Sequence, residues 1–296
     1  MALCACKSVI FDKLFTKQIH NSLMLAYIDW HASPVIFEIF GFPLRWYGLM
    51  FAGAFLAGYQ VLSYIFKQEG RPIEQADELL LYAMISTVIG ARMAHYFFYE
   101  FPLLLANPAK FFLDMITPPF SGLASHGTLL MFVAIYLFSK KRNVPYLYVT
   151  DRIVPTVAIG GAFIRFGNLM NSEIIGKPTD VPWAFRFFND TEHLNNIVPR
   201  HPAQLYESIS CILLFILIMW IWSLKKEKTR NGLLTGVFMV ILFTLRFFYE
   251  FLKENQVNFE DGMQYNMGQL LSIPAVLSGI IILFIAFRKK DDTQIG

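Results

Sequence analysis

The chain has 296 residues, of which 55% are hydrophobic and only 16% are charged, and its formal net charge is +3. A soluble domain carries roughly a quarter charged residues, so this composition excludes an ordinary soluble protein and indicates an integral membrane protein. The small net charge gives no sign of nucleic-acid binding. The three cysteines form no disulfide framework, and no Cys/His cluster has metal-ligand spacing, so we expect neither a metal nor another cofactor.

The N-terminal 33 residues resist assignment. They include a basic, partly amphipathic stretch with no long apolar core and no clear cleavage site, so they do not read as a signal peptide. A segment lying on the membrane surface, a disordered segment and a mis-chosen start codon all remain open. We therefore predict an N-terminal extension over 1–33, followed by one membrane domain over 34–296.

Seven segments of the membrane domain are long and apolar enough to span a bilayer, which requires about 20 residues. Several are punctuated by Gly, Ser or Thr, as is common where membrane helices pack closely. The predicted spans are 47–66, 79–99, 120–139, 153–171, 205–223, 233–252 and 268–287. The fold class that follows is an all-α membrane protein with seven transmembrane helices.

Basic residues alternate between the loops and so predict the orientation. Thirteen lie in the loops at 67–78, 140–152 and 224–232 and in the C-terminal tail, against five in the loops of the opposite side. The positive-inside rule places the C-terminus in the cytoplasm and, with seven spans, the N-terminus outside. The outer segment 172–204 is long and rich in aromatic residues, so we predict that it forms a small external cap between spans four and five.

Three arginines interrupt the predicted spans: Arg92, Arg165 and Arg246. Each lies about 13 or 14 residues along a span that runs outward, so at about 1.5 Å per residue they share one depth in the outer half of the bilayer. A charge near the membrane centre costs at least about 2.5–3.5 kcal/mol, so these side chains should face a polar interior rather than lipid.

Two interpretations of the arginines stay open at this point. They could pair with carboxylates and hold the bundle together, as Arg246 and Glu250 could at i, i+4 spacing. They could instead form an anion site, because the arginine fork matches phosphate oxygens. Asn168 lies three residues after Arg165 on the same helix face, and Glu173 and Tyr47 fall near the same surface. The anion would be a lipid headgroup from the outer leaflet.

His126 begins span three at a comparable level, in the segment SHG. A histidine in a membrane span is often a satisfied hydrogen-bonding residue. Its shared level with the arginines favours a second interpretation, in which neutral imidazole accepts a proton during catalysis.

Seven motifs in order resemble one family, the bacterial prolipoprotein diacylglyceryl transferases, over about residues 34–288. They are RWYGLM (45–50), GARMAHYFFY (90–99), SHG (125–127), RFGNLMNSE (165–173), RHPAQLYE (200–207), LRFFYEF (245–251) and MGQLLSIP (267–274). The resemblance implies a seven-span enzyme of the bacterial inner membrane with its site toward the periplasm. It also implies transfer of the diacylglyceryl group of phosphatidylglycerol to the lipobox cysteine of preprolipoproteins, with release of glycerol phosphate.

The resemblance also implies roles for particular residues. Arg165 matches the family's phosphatidylglycerol-binding arginine, with Asn168 and Glu173 beside it, and His126 matches the essential histidine. Arg246 and Tyr47 match the arginine of the sixth span and the tyrosine of the W-Y-G motif. We expect catalysis by His126, Arg165 and Arg246, with Arg92 and Glu250 among the substrate-binding residues. The chain departs from the family pattern at Thr128, at Ser172 (a glycine in the family) and at Leu242.

A different class of protein shares some of these features. A protein that binds or transports anionic lipid without chemistry would also place arginines toward the outer leaflet. A transporter should show matched repeats with broken helices, and the sequence shows none. The discriminating observation is the product: a lipid thioether on a cysteine peptide, or lipid that is moved or bound unchanged.

Overall fold

The structure, a computed structural model, describes residues 27–39, 41–117, 127, 129–190, 196–254 and 262–288, and most of them are helical. The α-helices of these ranges are α1 Trp46–Gln68, α2 Ile73–Tyr99, α3 Phe101–Ala106, α4 Pro108–Ile116, α5 Leu129–Arg142, α6 Tyr146–Met170, α7 Ala203–Lys225, α8 Leu233–Tyr249 and α9 Met267–Arg288. The strands are β1 Ile28–Trp30, β2 Val35–Ile39, β3 Phe42–Arg45 and β4 Phe185–Phe187. Short 3₁₀ turns follow α7 and α8.

Six helices of the described ranges are long and apolar enough to cross a membrane: α1, α2, α6, α7, α8 and α9. They coincide with six of the predicted spans, and the chain is a multi-pass membrane protein. The predicted third span, 120–139, lies partly outside the described residues, and its described part is the 14-residue α5. The count of seven therefore stays a prediction. The sequence did not predict the four short strands.

Two helices begin earlier than hydropathy predicts, at the end of the bundle that carries the basic loops (the basic end). Helix α2 begins at Ile73 and α6 at Tyr146, each directly after a proline. Hydropathy assigned Arg152 to a loop, and this is wrong, because Arg152 lies inside α6 with none of its side chain exposed. A polar residue that is paired within the bundle cannot be distinguished from a loop residue by its hydropathy.

Glu69 joins three helices at the basic end, because it follows α1 and accepts from side chains of α6 and α7. It follows α1 and pairs with Arg152 of α6 at 2.8 Å, and it accepts hydrogen bonds from Tyr148 at 2.6 Å and from Trp222 of α7 at 2.8 Å. The neighbouring Asp151 accepts the backbone N–H groups of Gly232 and Thr235 at 2.8 Å. Because Gly232 brings no capping side chain to α8, Asp151 caps that helix from α6.

We expect Glu69→Gln to lower the free energy of unfolding by about 3–5 kcal/mol, because it leaves the guanidinium of Arg152 buried without its counter-ion. Titration with a denaturing detergent measures this difference. Glu78→Gln is the matched control, since Glu78 pairs with the more exposed Lys141 at the same end, and its effect should stay below about 1 kcal/mol. Equal effects of the two substitutions would contradict the importance of the buried pair.

The opposite end of the bundle, the cap end, carries a small folded cap. Strand β1 pairs in parallel with β4, so residues before the first helix and residues between α6 and α7 form one sheet. Leu169, Ile175, Phe185 and Phe187 form its apolar core, against which Trp30 packs. The Trp30 indole donates to the Leu169 carbonyl oxygen at 3.0 Å, which fixes the cap on the last turn of α6.

Candidate active site

Ion pairs connect side chains from α6, α7 and the end of α8 at the cap end. Arg165 Nε lies 2.9 Å from Glu207 Oε2, and Glu207 Oε1 lies 2.7 Å from Lys253 Nζ. Lys253 Nζ also lies 2.9 Å from Glu250 Oε1, which is 3.7 Å from Arg246 Nε. We call these five residues the charge chain. It brings the predicted site residues Arg165, Arg246 and Glu250 into one connected group.

Burial divides the charge chain into a hidden part and an accessible part. Lys253 is 1% exposed, and Glu207 and Glu250 are 6% and 7% exposed. The Arg165 and Arg246 side chains are 23% and 41% exposed. The arginines at the two ends therefore reach space that a ligand can enter, while the carboxylates and the lysine support them from inside.

Asn168 and Glu173 extend the chain on the Arg165 side. Arg165 Nη1 donates to Asn168 Oδ1 at 3.4 Å, and Asn168 Nδ2 donates to Glu173 Oε2 at 3.3 Å. Asn168, expected beside Arg165 on the same helix face, links that arginine to a carboxylate through its amide. Tyr47 packs against the helix turn that carries Arg165 and Asn168, because a Cβ added at Gly167 would lie 3.3 Å from the Tyr47 ring.

The backbone around Glu173 is held in an unusual conformation. Ser172 and Ile174 have φ of 54° and 56°, in the left-handed region that favours glycine, and Glu173 lies between them. This turn directs the chain from α6 into the cap. Ser172, where the family has a glycine, therefore has a backbone conformation that glycine would adopt without strain.

We expect Ser172→Gly to raise the free energy of unfolding by about 1 kcal/mol, because glycine adopts positive φ without the steric cost of a Cβ. The Ser172 hydroxyl is buried with no hydrogen-bond partner among the described residues, so its loss removes no bond there. Ser172→Ala is the matched control, which removes the hydroxyl but keeps the Cβ. If both substitutions had the same effect, backbone strain would not be the cause.

Arg92 contacts the C-terminal end of α4. Its Nε donates to the Met115 carbonyl oxygen at 3.0 Å and its Nη2 to the Asp114 carbonyl oxygen at 2.7 Å, both at the C-terminal end of α4. Its guanidinium also lies over the ring of Tyr96, 4.7 Å from the centroid. These contacts use the charge of Arg92 to complement the negative end of a helix dipole.

Helix α9 completes the site beside Glu250. Asn266 Nδ2, just before α9, donates to Glu250 Oε2 at 3.0 Å. Gly268 lets the helix approach, because a Cβ there would lie only 2.7 Å from the Glu250 carboxyl carbon. The glycine of the MGQLLSIP motif therefore allows α9 to pack closely against Glu250.

His126 lies outside the described residues. Its neighbour Gly127 is described, and a Cβ at Gly90 of α2 would overlap the Gly127 carbonyl oxygen. The two backbones therefore meet with no room for a side chain.

A second polar group lies where the cap joins α7. Trp183 Nε1 donates to the Tyr206 hydroxyl at 2.7 Å, and that hydroxyl lies 3.2 Å from His201 Nδ1. Because Tyr206 accepts from the indole, its own proton is available to His201. Partial burial lowers the pKa of His201, which favours neutral imidazole as the acceptor.

Sequence reasoning missed Glu207 and Lys253. Glu207 ends the RHPAQLYE motif but was assigned no role, and Lys253 directly follows the predicted sixth span. A signal for Lys253 did exist, since it lies three residues after Glu250 and can reach the same helix face. The partnership of Arg165 with Glu207 joins different helices, and no local spacing reveals it.

The fold and this site define a class of protein. It is a multi-pass membrane protein in which ion-paired arginines, partly exposed, lie at the end of the helix bundle that carries the cap. A family model described as prolipoprotein diacylglyceryl transferase matches residues 34–285. The chain belongs to this family, as its motifs predicted.

Relatives match over nearly their whole length. Proteins named phosphatidylglycerol–prolipoprotein diacylglyceryl transferase are 40% identical in Tolumonas auensis (88% of this chain and 98% of the relative) and 40% identical in Bacteroides fragilis (92% and 99%). The protein of that name in Chloroherpeton thalassium is 41% identical (90% and 97%).

Proposed function

We propose that this protein transfers the diacylglyceryl group of phosphatidylglycerol to the lipobox cysteine of preprolipoproteins and releases glycerol phosphate. Near-full-length identity of about 40% to proteins of that name supports the reaction. The observation that carries the proposal is Arg165, a partly accessible arginine held in a bundle end by Glu207 and Asn168. Such an arginine suits a lipid phosphate.

Arg165 and Arg246 bind the phosphodiester. The contact of each arginine with its carboxylate is through Nε, and Arg165 also donates through Nη1 to Asn168. Among the described residues this leaves Nη2 of Arg165 and the terminal nitrogens of Arg246 for phosphate oxygens. As the carbon–oxygen bond breaks, negative charge grows on the departing phosphate oxygen. Cations fixed beside that oxygen stabilise the transition state more than the ground state.

The bond changes balance without a further reactant. The cysteine sulfur attacks the glycerol carbon that carries the phosphate ester, a carbon–sulfur bond forms, and the carbon–oxygen bond breaks with its electron pair on the phosphate. The thiolate is the nucleophile, so the thiol proton must leave. From the sequence we assign His126 as its acceptor.

The remaining predicted site residues orient these groups. Asn168 and Glu173 hold Arg165 from one side, with Tyr47 near the same turn, and Glu250 faces Arg246. The contacts of Arg92 favour a supporting role, in which it fixes α4 rather than a headgroup.

The charge asymmetry of the loops supports a place in the bacterial inner membrane with the cap end toward the periplasm. A site in the outer half of that bilayer would accept a phosphatidylglycerol headgroup and the cysteine of an exported peptide. The cap beside the site belongs, in this orientation, to the periplasmic side.

The test uses the purified full-length protein, phosphatidylglycerol in mixed micelles and a lipobox peptide, with glycerol phosphate as the measured product. We expect release with the cysteine peptide and none when its cysteine is replaced by serine. Bound or transferred lipid without glycerol phosphate release would favour the non-catalytic alternative.

A further inference from the structure

Lys253 is the most buried member of the charge chain, and it contacts both of its carboxylates. It is 1% exposed, with Nζ 2.7 Å from Glu207 and 2.9 Å from Glu250. A lysine is almost never this buried unless it is paired. Its position joins the Arg165 half of the site to the Arg246 half.

The cap fixes the backbone that carries this lysine. Residues Gly176 and Lys253 form an antiparallel bridge, and the Lys177 N–H donates to the Leu252 carbonyl oxygen at 2.7 Å. Gly176 permits this approach, because a Cβ there would lie 2.9 Å from that same oxygen. The ammonium group is therefore positioned by the backbone of the cap as well as by its two carboxylates.

We propose that Lys253 is a positioning residue that keeps Arg165 and Arg246 available to the lipid phosphate. It occupies Oε1 of both carboxylates, while Oε2 of Glu207 faces Arg165. Without it, Glu207 could turn both oxygens to Arg165 in a bidentate pair, which would consume the nitrogens that bind phosphate. Glu250 has its Oε2 held by Asn266, so its freed Oε1 could move closer to Arg246 than the present 3.7 Å.

Charge counting supports the same role. In the charge chain, three cations face two carboxylates, a net charge of +1 that Glu173 beyond Asn168 offsets. Loss of Lys253 would make the charge chain neutral and its sum with Glu173 negative, which would repel a monoanionic phosphodiester. The neighbouring contacts do not replace it, since Asn266 is neutral and Glu173 adds a negative charge beyond Asn168.

This inference rests on the proposed transferase activity, so its test begins with an active wild-type enzyme. Kinetics are measured against the surface fraction of phosphatidylglycerol in mixed micelles. We expect Lys253→Met to raise KM at least about tenfold and to lower kcat by a smaller factor, because the arginines that it keeps available bind the phosphate and also stabilise its developing charge. Lys253→Arg, which keeps the charge, should restore most of the affinity. Lys110→Met, at an exposed lysine of α4, should match wild type.

A double variant separates charge from packing. Lys253→Met combined with Glu250→Gln regains the net positive charge although two charged side chains are gone, and its KM should fall back toward the wild-type value. This variant and Lys253→Arg decide the matter if Lys253→Met alone does not fold. An unchanged KM in Lys253→Met, a loss of kcat alone, or a folded double variant with no recovery would overturn the proposal. A wild-type enzyme that releases no glycerol phosphate would instead overturn the proposed function.

Discussion

Arg165→Ala should lower the rate of diacylglyceryl transfer by about 10²–10³-fold or more. The substitution removes a fixed cation from the oxygen on which charge develops, and the loss of one such donor has effects of this size. Arg165→Lys should also be strongly impaired, because an ammonium group offers a point charge where the guanidinium offers a fork. Glycerol phosphate release by the purified variants measures both effects.

The control for Arg165 is another arginine at the cap end. Arg186 pairs with Asp29 on the surface, and its side chain is 39% exposed, so Arg186→Ala should retain activity within about twofold. Unfolding curves establish that each variant is folded. A folded Arg165→Ala enzyme with full activity would contradict its assignment to the phosphate.

Glu207→Ala should be the most destabilising change in the site, at about 3–5 kcal/mol of unfolding free energy. It leaves the buried ammonium of Lys253 with one carboxylate and Arg165 without its partner, and one-sided removal from a buried pair is costly. Glu207→Gln keeps the volume and one acceptor oxygen, so we expect a smaller loss of stability and a marked loss of activity.

Glu38→Ala serves as the control for Glu207, since Glu38 is exposed on a strand at the cap end and should change stability by less than about 0.5 kcal/mol. Detergent titration of the three variants gives the comparison. If Glu207→Ala unfolded at the wild-type midpoint, the charge chain would not support the site.

The membrane spans could be predicted because lipid imposes a simple rule on the sequence. A spanning helix must satisfy its own backbone and present apolar side chains over about 20 residues. Helices α7, α8 and α9 follow this rule and match their predicted spans closely. Helices α2 and α6 begin earlier than predicted, because polar side chains lie within their first two turns, as Glu74 does in α2 and Asp151 and Arg152 do in α6.

The site could be predicted only in part, because its geometry depends on contacts between distant segments. Arg165 and Arg246 could be identified as charges inside apolar segments, and the i, i+4 spacing of Arg246 and Glu250 predicted their ion pair. Glu207 meets Arg165 only when α6 and α7 pack together. The cap was expected as an aromatic outer segment, yet the parallel pairing of β1 with β4 joins residues more than a hundred positions apart and leaves no local pattern.

Conversion of the cysteine to a thioether is the most direct test of the proposed chemistry. We would measure the mass of a lipobox peptide after reaction with phosphatidylglycerol, before and after treatment with hydroxylamine, which cleaves thioesters. Attack on the glycerol carbon predicts a mass gain of one diacylglyceryl group that survives the treatment. No mass gain, or an acyl-sized gain that hydroxylamine removes, would contradict attack of the cysteine on the carbon beside the phosphate.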